Sequence, residues 1–137
     1  DQGAILADLE DRRRATEGLQ IHGHHSHADR FGELAAYGSD APRIRELVEG
    51  DDALAAALHP SLPVRAAEVV WAARHEMART VEDFLSRRTR ALLLDARAAM
   101  EAAPRVAELM AAELGRDAAW RDAQVDAFRE LAAGYLP

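Results

Sequence analysis

The chain contains no cysteine. No disulfide can close it, no thiolate can act as a nucleophile, and any metal would have to be held by histidine and carboxylates. Aromatic residues make up 5% of the sequence, although hydrophobic residues make up 49%. The apolar content is therefore mostly Ala and Leu, the residues that cost least in a helix. Positive charge is in deficit: the formal net charge of -7 repels a phosphate backbone and argues against nucleic acid as a partner. No apolar run approaches the roughly 18 residues that read as a membrane span, and no basic segment followed by an apolar one opens the chain, so the expectation is a soluble, cytoplasmic protein. The sequence has no Gly-x-Gly-x-x-Gly, no Gly-x-x-x-x-Gly-Lys-[Ser/Thr] and no Gly-x-Ser-x-Gly. It thus has no recognised means of holding a dinucleotide or of presenting a serine nucleophile. It opens at Asp1 rather than at Met, which suggests a piece of a longer protein.

What is present is helix-forming sequence. At 137 residues one core is expected, burying roughly two-thirds of the unfolded surface. Ile5, Leu6 and Leu9, followed by Arg12, Arg13 and Arg14, read as a helix or linker over residues 1–18 that stops at Gly18. Residues 19–27 have no helical period and read as a loop. Phe31, Leu34 and Ala35 with Gly38 as C-cap predict a short helix. Asp40, Pro42, Ile44, Leu47, Val48 and Gly50 outline the next one, and Asp51 and Asp52 start an Ala-rich stretch.

The prolines of His59–Pro63 end that stretch, and a helix restarting near Pro63 would place Val64, Ala67, Val70 and Trp71 on one face. Thr80 and Asp83 have the form of a capping box. Leu92, Leu93 and Leu94 are apolar on every side of one turn, which predicts full burial. Helical spacing then persists from Asp95 to Gly115 through Pro104, predicting a kinked or split helix. Asp117 caps a last helix with Val125, Phe128, Leu131 and Tyr135 facing inward. Trp71, Phe84, Trp120 and Phe128 are the large anchors of a core otherwise made of small residues. The fold class is all-α, a compact bundle of about six to eight helices, several of them short, forming a single domain over residues 19–137.

Three features bear on chemistry. His22, His24, His25 and His27 fall within six residues and could bind Zn²⁺, Ni²⁺ or Cu²⁺ with Asp29. The other reading, an exposed polar loop without a specific site, is favoured, because no supporting shell is visible. His75–Glu76 is not a zinc motif, since position 79 is Arg. His75 is either a general acid/base or, preferably, a buried histidine bonded between helices. Arg87, Arg88 and Arg90, with Arg79 and Arg97 near, make a local positive cluster. It could contact a phosphate, pair with Glu82 and Asp83 on a solvated face, or dock the domain onto a partner by bidentate bonds, and docking is preferred.

Longer motifs add a resemblance. IHG (Ile21 to Gly23), YGSDA (Tyr37 to Ala41), RHEMARTVEDFL with His75 and Glu76, RRTRALLLDAR (Arg87 to Arg97) and AELMAAELG (Ala107 to Gly115) occur in this order. The chain resembles, over about residues 19 to 134, the helical C-terminal domain of FAD-dependent glycerol-3-phosphate dehydrogenases and α-glycerophosphate oxidases. IHG fits that family and the extra histidines do not. The resemblance implies that catalysis and FAD belong to an upstream domain, which would be the docking partner. It implies no catalytic or cofactor-binding residue here, and a parent that oxidises sn-glycerol 3-phosphate to dihydroxyacetone phosphate and passes electrons to quinone, or to oxygen in the oxidase branch. It leaves open self-association and a peripheral membrane contact of the parent. The rival reading is a free-standing helical binding module that uses the histidine loop for metal.

Overall fold

The computed structural model describes Thr16 and residues 18–136, so the helix expected around Ile5 to Arg14 lies outside the described residues. The chain divides into two compact units, residues 1–39 and 40–137. In the first, residues 19–27 carry no regular element, as their lack of period implies. Helix α1 (Ala28–Asp40), which runs to the boundary, is wound as a 3-10 helix and is interrupted at Gly32 and Gly38, both at positive φ. Leu34 is buried and Phe31 half-buried.

The second unit holds α2 (Ala41–Gly50), α3 (Asp52–Ala55), strands β1 (Ala57–His59) and β2 (Leu62–Arg65), α4 (Ala66–His75), a π-helical segment (Asp83–Arg88), α5 (Ala91–Leu94), α6 (Ala96–Leu114) and α7 (Ala118–Ala133). The helical class is as expected, with one addition. The two prolines that end the Ala-rich stretch fall within an antiparallel hairpin, Pro60 in its turn and Pro63 on β2, in which Ala57 faces Arg65, His59 faces Leu62, and an irregularity lies between. Val64 therefore stands on β2, and α4 begins only at Ala66. The cause is local: Pro63 biases Leu62 to extended backbone, and Arg65 N donates to Glu68 Oε1 at 2.8 Å, fixing the helix start three residues later than the apolar spacing suggests.

Helix α6 is the centre of this unit. Its Ala98, Ala99, Ala102, Ala103, Ala107 and Ala111 are buried together with Val106 and Met110. Short side chains let α4 and α7 approach closely, which is how an aromatic-poor chain reaches interior packing density. Trp71, Phe84 and Phe128 are buried as anchors, while Trp120 is only half-buried. Arg74 on α4 grips Glu113 on α6 with two bonds of 2.6 and 2.8 Å. The hydrogen bond to Glu113 holds the Arg74 guanidinium above its ordinary pKa. Pro104 is exposed and α6 runs through it as one 19-residue element, so the helix is not split. The lost backbone bond falls on the wet side, where water can take it.

Two burial expectations fail. Leu92 is buried, but Leu93 and Leu94 are 65% and 67% exposed. A helix of four residues has one inner side, and Asp95 ends α5 before a second turn can cover the others. On α7, Phe128 and Ala132 are buried and Val125 half-buried, whereas Leu131 and Tyr135 are exposed. The inner line steps by three and four residues from 125 to 128 to 132, leaving 131 on the shoulder and 135 beyond the helix end.

Candidate functional site

The histidine loop comes first because four imidazoles could meet there. All four histidines are exposed, and His25 spends its Nδ1 on the backbone N–H of His27 at 3.0 Å. Its ring stands edge-on to Phe31 at 4.8 Å. Among the described residues no three His, Asp or Glu side chains are grouped so as to hold a metal. The loop has a different structural role. Ser39 N donates to Gly23 O at 3.2 Å, and a Cβ on Gly38 would sit 1.8 Å from that same oxygen. The IHG and YGSDA motifs thus meet backbone against backbone, with glycine obligatory at 38.

His75 closes α4 and is exposed, contrary to the buried position expected. Its ring packs on Trp71 at 4.1 Å between centroids, and Arg43 lies over Trp71 at 5.0 Å. The histidine is held by stacking, because the last turn of α4 leaves only the Trp71 side covered. Glu76 points elsewhere, as adjacent helical positions must. Its backbone oxygen accepts from Arg88 Nη2 at 2.5 Å, and its carboxylate lies 3.9 Å from Arg88 Nε. Arg79 turns back to the end of α4 and donates to the carbonyls of Ala73 and Ala78, a cation at the negative end of the helix dipole.

The capping box at Thr80 forms as the sequence suggests. Asp83 N donates to Thr80 Oγ1 at 3.0 Å, and Asp83 Oδ2 accepts from the amides of Thr80 and Arg79 at 3.1 and 3.0 Å. Burial pushes the Asp83 carboxyl up, but the amide of Arg79, the Thr80 hydroxyl and amide, and the Arg87 charge together hold it below its ordinary value. Arg87 binds Asp83 Oδ1 at 2.7 Å and Glu82 Oε1 at 2.8 Å. The turn is wide: Thr89 N and Oγ1 both reach Phe84 O at 3.0 Å, a π-type closure that leaves the buried Ser86 Oγ without a partner among the described residues.

Arg87 and Arg90 do not share a helical face, because the helix has ended before Arg90. Arg90 sits at φ 56° and Met77 at φ 58°, the non-glycine residues at positive φ among those described. Such backbone costs roughly 1–2 kcal/mol per residue. Met77 is 75% exposed, and Arg90 is exposed with no side-chain bond to a described residue. Sequence reasoning missed the outward Met77, Leu93 and Leu94. The available signal was Asp95, which as an N-cap directly after three leucines limits α5 to one turn.

Several of the described helices begin with their first-turn amides already taken. Four of their N-termini are filled by the chain's own carboxylates: Asp51 on Ala53 N, Glu68 on Arg65 N, Asp95 on Ala98 N and Asp117 on Trp120 N. A carboxylate occupying the first-turn amides repels the pyrophosphate those amides would otherwise bind. The one strand-to-helix passage, from β2 into α4, contains no glycine. None of the described helices is long and apolar enough to cross a membrane.

Known proteins resemble part of the chain. The mitochondrial glycerol-3-phosphate dehydrogenase SDP6 of Arabidopsis thaliana is 40% identical over 78 residues, 57% of this chain and 12% of that protein. The mitochondrial glycerol-3-phosphate dehydrogenase of Schizosaccharomyces pombe is 39% identical over 74 residues, 54% of this chain and 11% of its own length. The chain thus matches about a tenth of the length of these relatives. No solved structure matches it. The family model for the C-terminal domain of alpha-glycerophosphate oxidase matches residues 10–121, a span that takes in the Gly23–Gly38 crossing, the capping box and the alanine ridge of α6, and the chain belongs to that family.

Proposed function

We propose that the chain is the noncatalytic, helical C-terminal domain of an FAD-dependent glycerol-3-phosphate dehydrogenase, seated on an upstream flavin domain of the same polypeptide. The observation that carries this is the family match over residues 10–121. The filled helix N-termini support it, since they leave the flavin to be held elsewhere. The parent oxidises C2 of sn-glycerol 3-phosphate to the ketone of dihydroxyacetone phosphate. FAD, held in the upstream domain, would supply the hydride acceptor there, with the hydroxyl proton passing to a base of that domain and the electrons on to quinone, and no described residue of this domain is assigned a part in that step. Delivery to quinone calls for a peripheral membrane contact of the parent, and this domain stands on its cytoplasmic side. Arg87, Arg88 and Arg90 lie on the side that meets the flavin domain, and the histidine loop serves packing rather than metal.

The test compares the 137-residue chain with a longer polypeptide that carries the upstream sequence. Mixed with FAD, sn-glycerol 3-phosphate and an artificial electron acceptor, the chain alone should bind no stoichiometric flavin and give no turnover, and the longer polypeptide should do both. Turnover by the chain alone defeats the noncatalytic role. A longer polypeptide that neither holds flavin nor oxidises glycerol 3-phosphate defeats the assignment itself.

A further inference from the structure

The arginines do not form a bare cationic patch. Arg87 is neutralised by Glu82 and Asp83, and Arg88 by Glu76 and its backbone oxygen, so the uncompensated cation is Arg90. Near it in the chain stand three large apolar side chains, Met77, Leu93 and Leu94, each at least 65% exposed. The pieces are tied together: Arg88 binds the residue before Met77, and the amides of Leu93 and Leu94 both donate to Arg90 O at 3.0 and 3.1 Å. The same segment carries the π turn and both non-glycine residues at positive φ. The interior gains Phe84, Leu85 and Leu92 from this segment but nothing from Met77, Leu93 and Leu94, which point outward. The outward side chains of the segment combine large apolar groups with charged ones, as interfaces do.

We infer that this corner, residues 76–94, is the face by which the domain docks on the remainder of its longer polypeptide, against an apolar surface that carries a carboxylate opposite Arg90. The inference rests on the proposed reading as a C-terminal domain. The relatives argue for this occupant, because the matched stretch is only 12% and 11% of their lengths, so most of such an enzyme is available as the seat. Charge argues against anionic lipid, since a corner whose other arginines are already engaged, on a chain of net charge -7, attracts a negative surface weakly. A second copy would bring further negative charge of the same magnitude.

Hydrogen exchange on the flavin-loaded longer polypeptide and on the 137-residue chain tests this. Amides around Met77 and from Arg90 to Asp95 should exchange about tenfold more slowly in the longer polypeptide. The double change Leu93→Ser with Leu94→Ser should abolish that protection while leaving the melting temperature of the short chain unchanged. Arg90→Glu should reduce the protection and Arg90→Lys largely keep it. Equal exchange at the corner, with protection appearing instead near Leu131 and Tyr135, overturns this face and leaves the C-terminal-domain reading standing. No protection anywhere in residues 40–136 overturns docking as such. A dimer of the short chain that the double serine change dissolves, or flotation of the short chain with phosphatidylglycerol–phosphatidylcholine vesicles that the same change prevents, assigns the corner to a second copy or to lipid and likewise overturns the inference.

Discussion

The ridge of α6 and the corner at residues 76–94 are made of similar residue types, chiefly Ala, Leu, Met and Arg, yet they spend them in opposite ways. On α6 every alanine of the inner side is covered, Met110 is fully buried, and regular helix continues for 19 residues even through Pro104. At the corner the longest regular stretch is a turn or two, Met77, Leu93 and Leu94 point outward, and two residues occupy backbone that a glycine would hold more cheaply. The difference teaches where stability is stored. In the ridge, removing a side chain removes stability; at the corner, removing one of the outward side chains should remove something only when a partner is present.

The largest test of this contrast is Phe84→Ala or Phe128→Ala against Leu93→Ser. Both phenylalanines are buried, so each truncation should lower unfolding free energy by about 3–5 kcal/mol. Leu93→Ser should stay within roughly 0.5 kcal/mol, as exposed substitutions do. Urea unfolding of the three variants measures it. A loss of several kcal/mol for Leu93→Ser would break the comparison, because the leucine would then be covered within this chain.

Overpacking comes next. Ala103 is fully buried on α6, and Ala103→Leu adds volume where the neighbouring helices have already closed in. It should cost roughly 1–3 kcal/mol. An unchanged or raised melting temperature would mean that the ridge is loosely packed, and small side chains would no longer explain how an aromatic-poor core holds together.

The capping box joins the two regions and brings a pH dependence. Thr80→Ala should cost about 1 kcal/mol, the usual loss of a cap. Asp83 titrates lower in the folded than in the unfolded chain, so its contribution is complete above the ordinary aspartate value of about 3.9 and is lost as pH falls through the lower folded value. Unfolding of wild type and Asp83→Asn between pH 7 and pH 3 should show a gap that is widest at neutral pH and narrows only in acid. A gap that widens in acid would reverse the sign and place the Asp83 proton, not its charge, at the centre of the cap.

The same contrast explains what was legible in the sequence. Caps are local, so Asp117, the Thr80–Asp83 box and the left-handed Gly115 were readable from a few neighbouring residues, whereas Asp40, expected to cap α2, makes no side-chain cap bond there and the cap at Asp95 was missed. The α6 ridge was readable because helical period accumulates over five turns. The hairpin was not, since strands of three and four residues, with one proline in the turn and another in β2, carry no measurable alternation. The direction of Leu93 and Leu94 was misread because hydrophobicity was equated with burial on a helix too short to bury more than one side. His75 was placed inside for want of its partner, as the stack with Trp71 becomes visible only once α4 is known to end there. Arg74 with Glu113, 39 residues apart, is a tertiary fact that no window of sequence contains.

The smallest expected effect is also the sharpest, because its sign should change with context. Arg90 stands at φ 56° and makes no side-chain bond to a described residue, so Arg90→Gly relieves the left-handed cost of roughly 1–2 kcal/mol and adds back about 0.5–1 kcal/mol of glycine entropy. The short chain should gain stability, by less than about 1 kcal/mol, in urea unfolding. In the longer polypeptide the same change removes the one free guanidinium from the corner and should loosen the domain there, seen as faster exchange from Arg90 to Asp95. A gain in one and a loss in the other identify the strained backbone as a feature kept for an external contact. A loss of stability in the short chain would instead make Arg90 a structural residue of the domain itself, and the corner would become an extension of the same packing that builds α6.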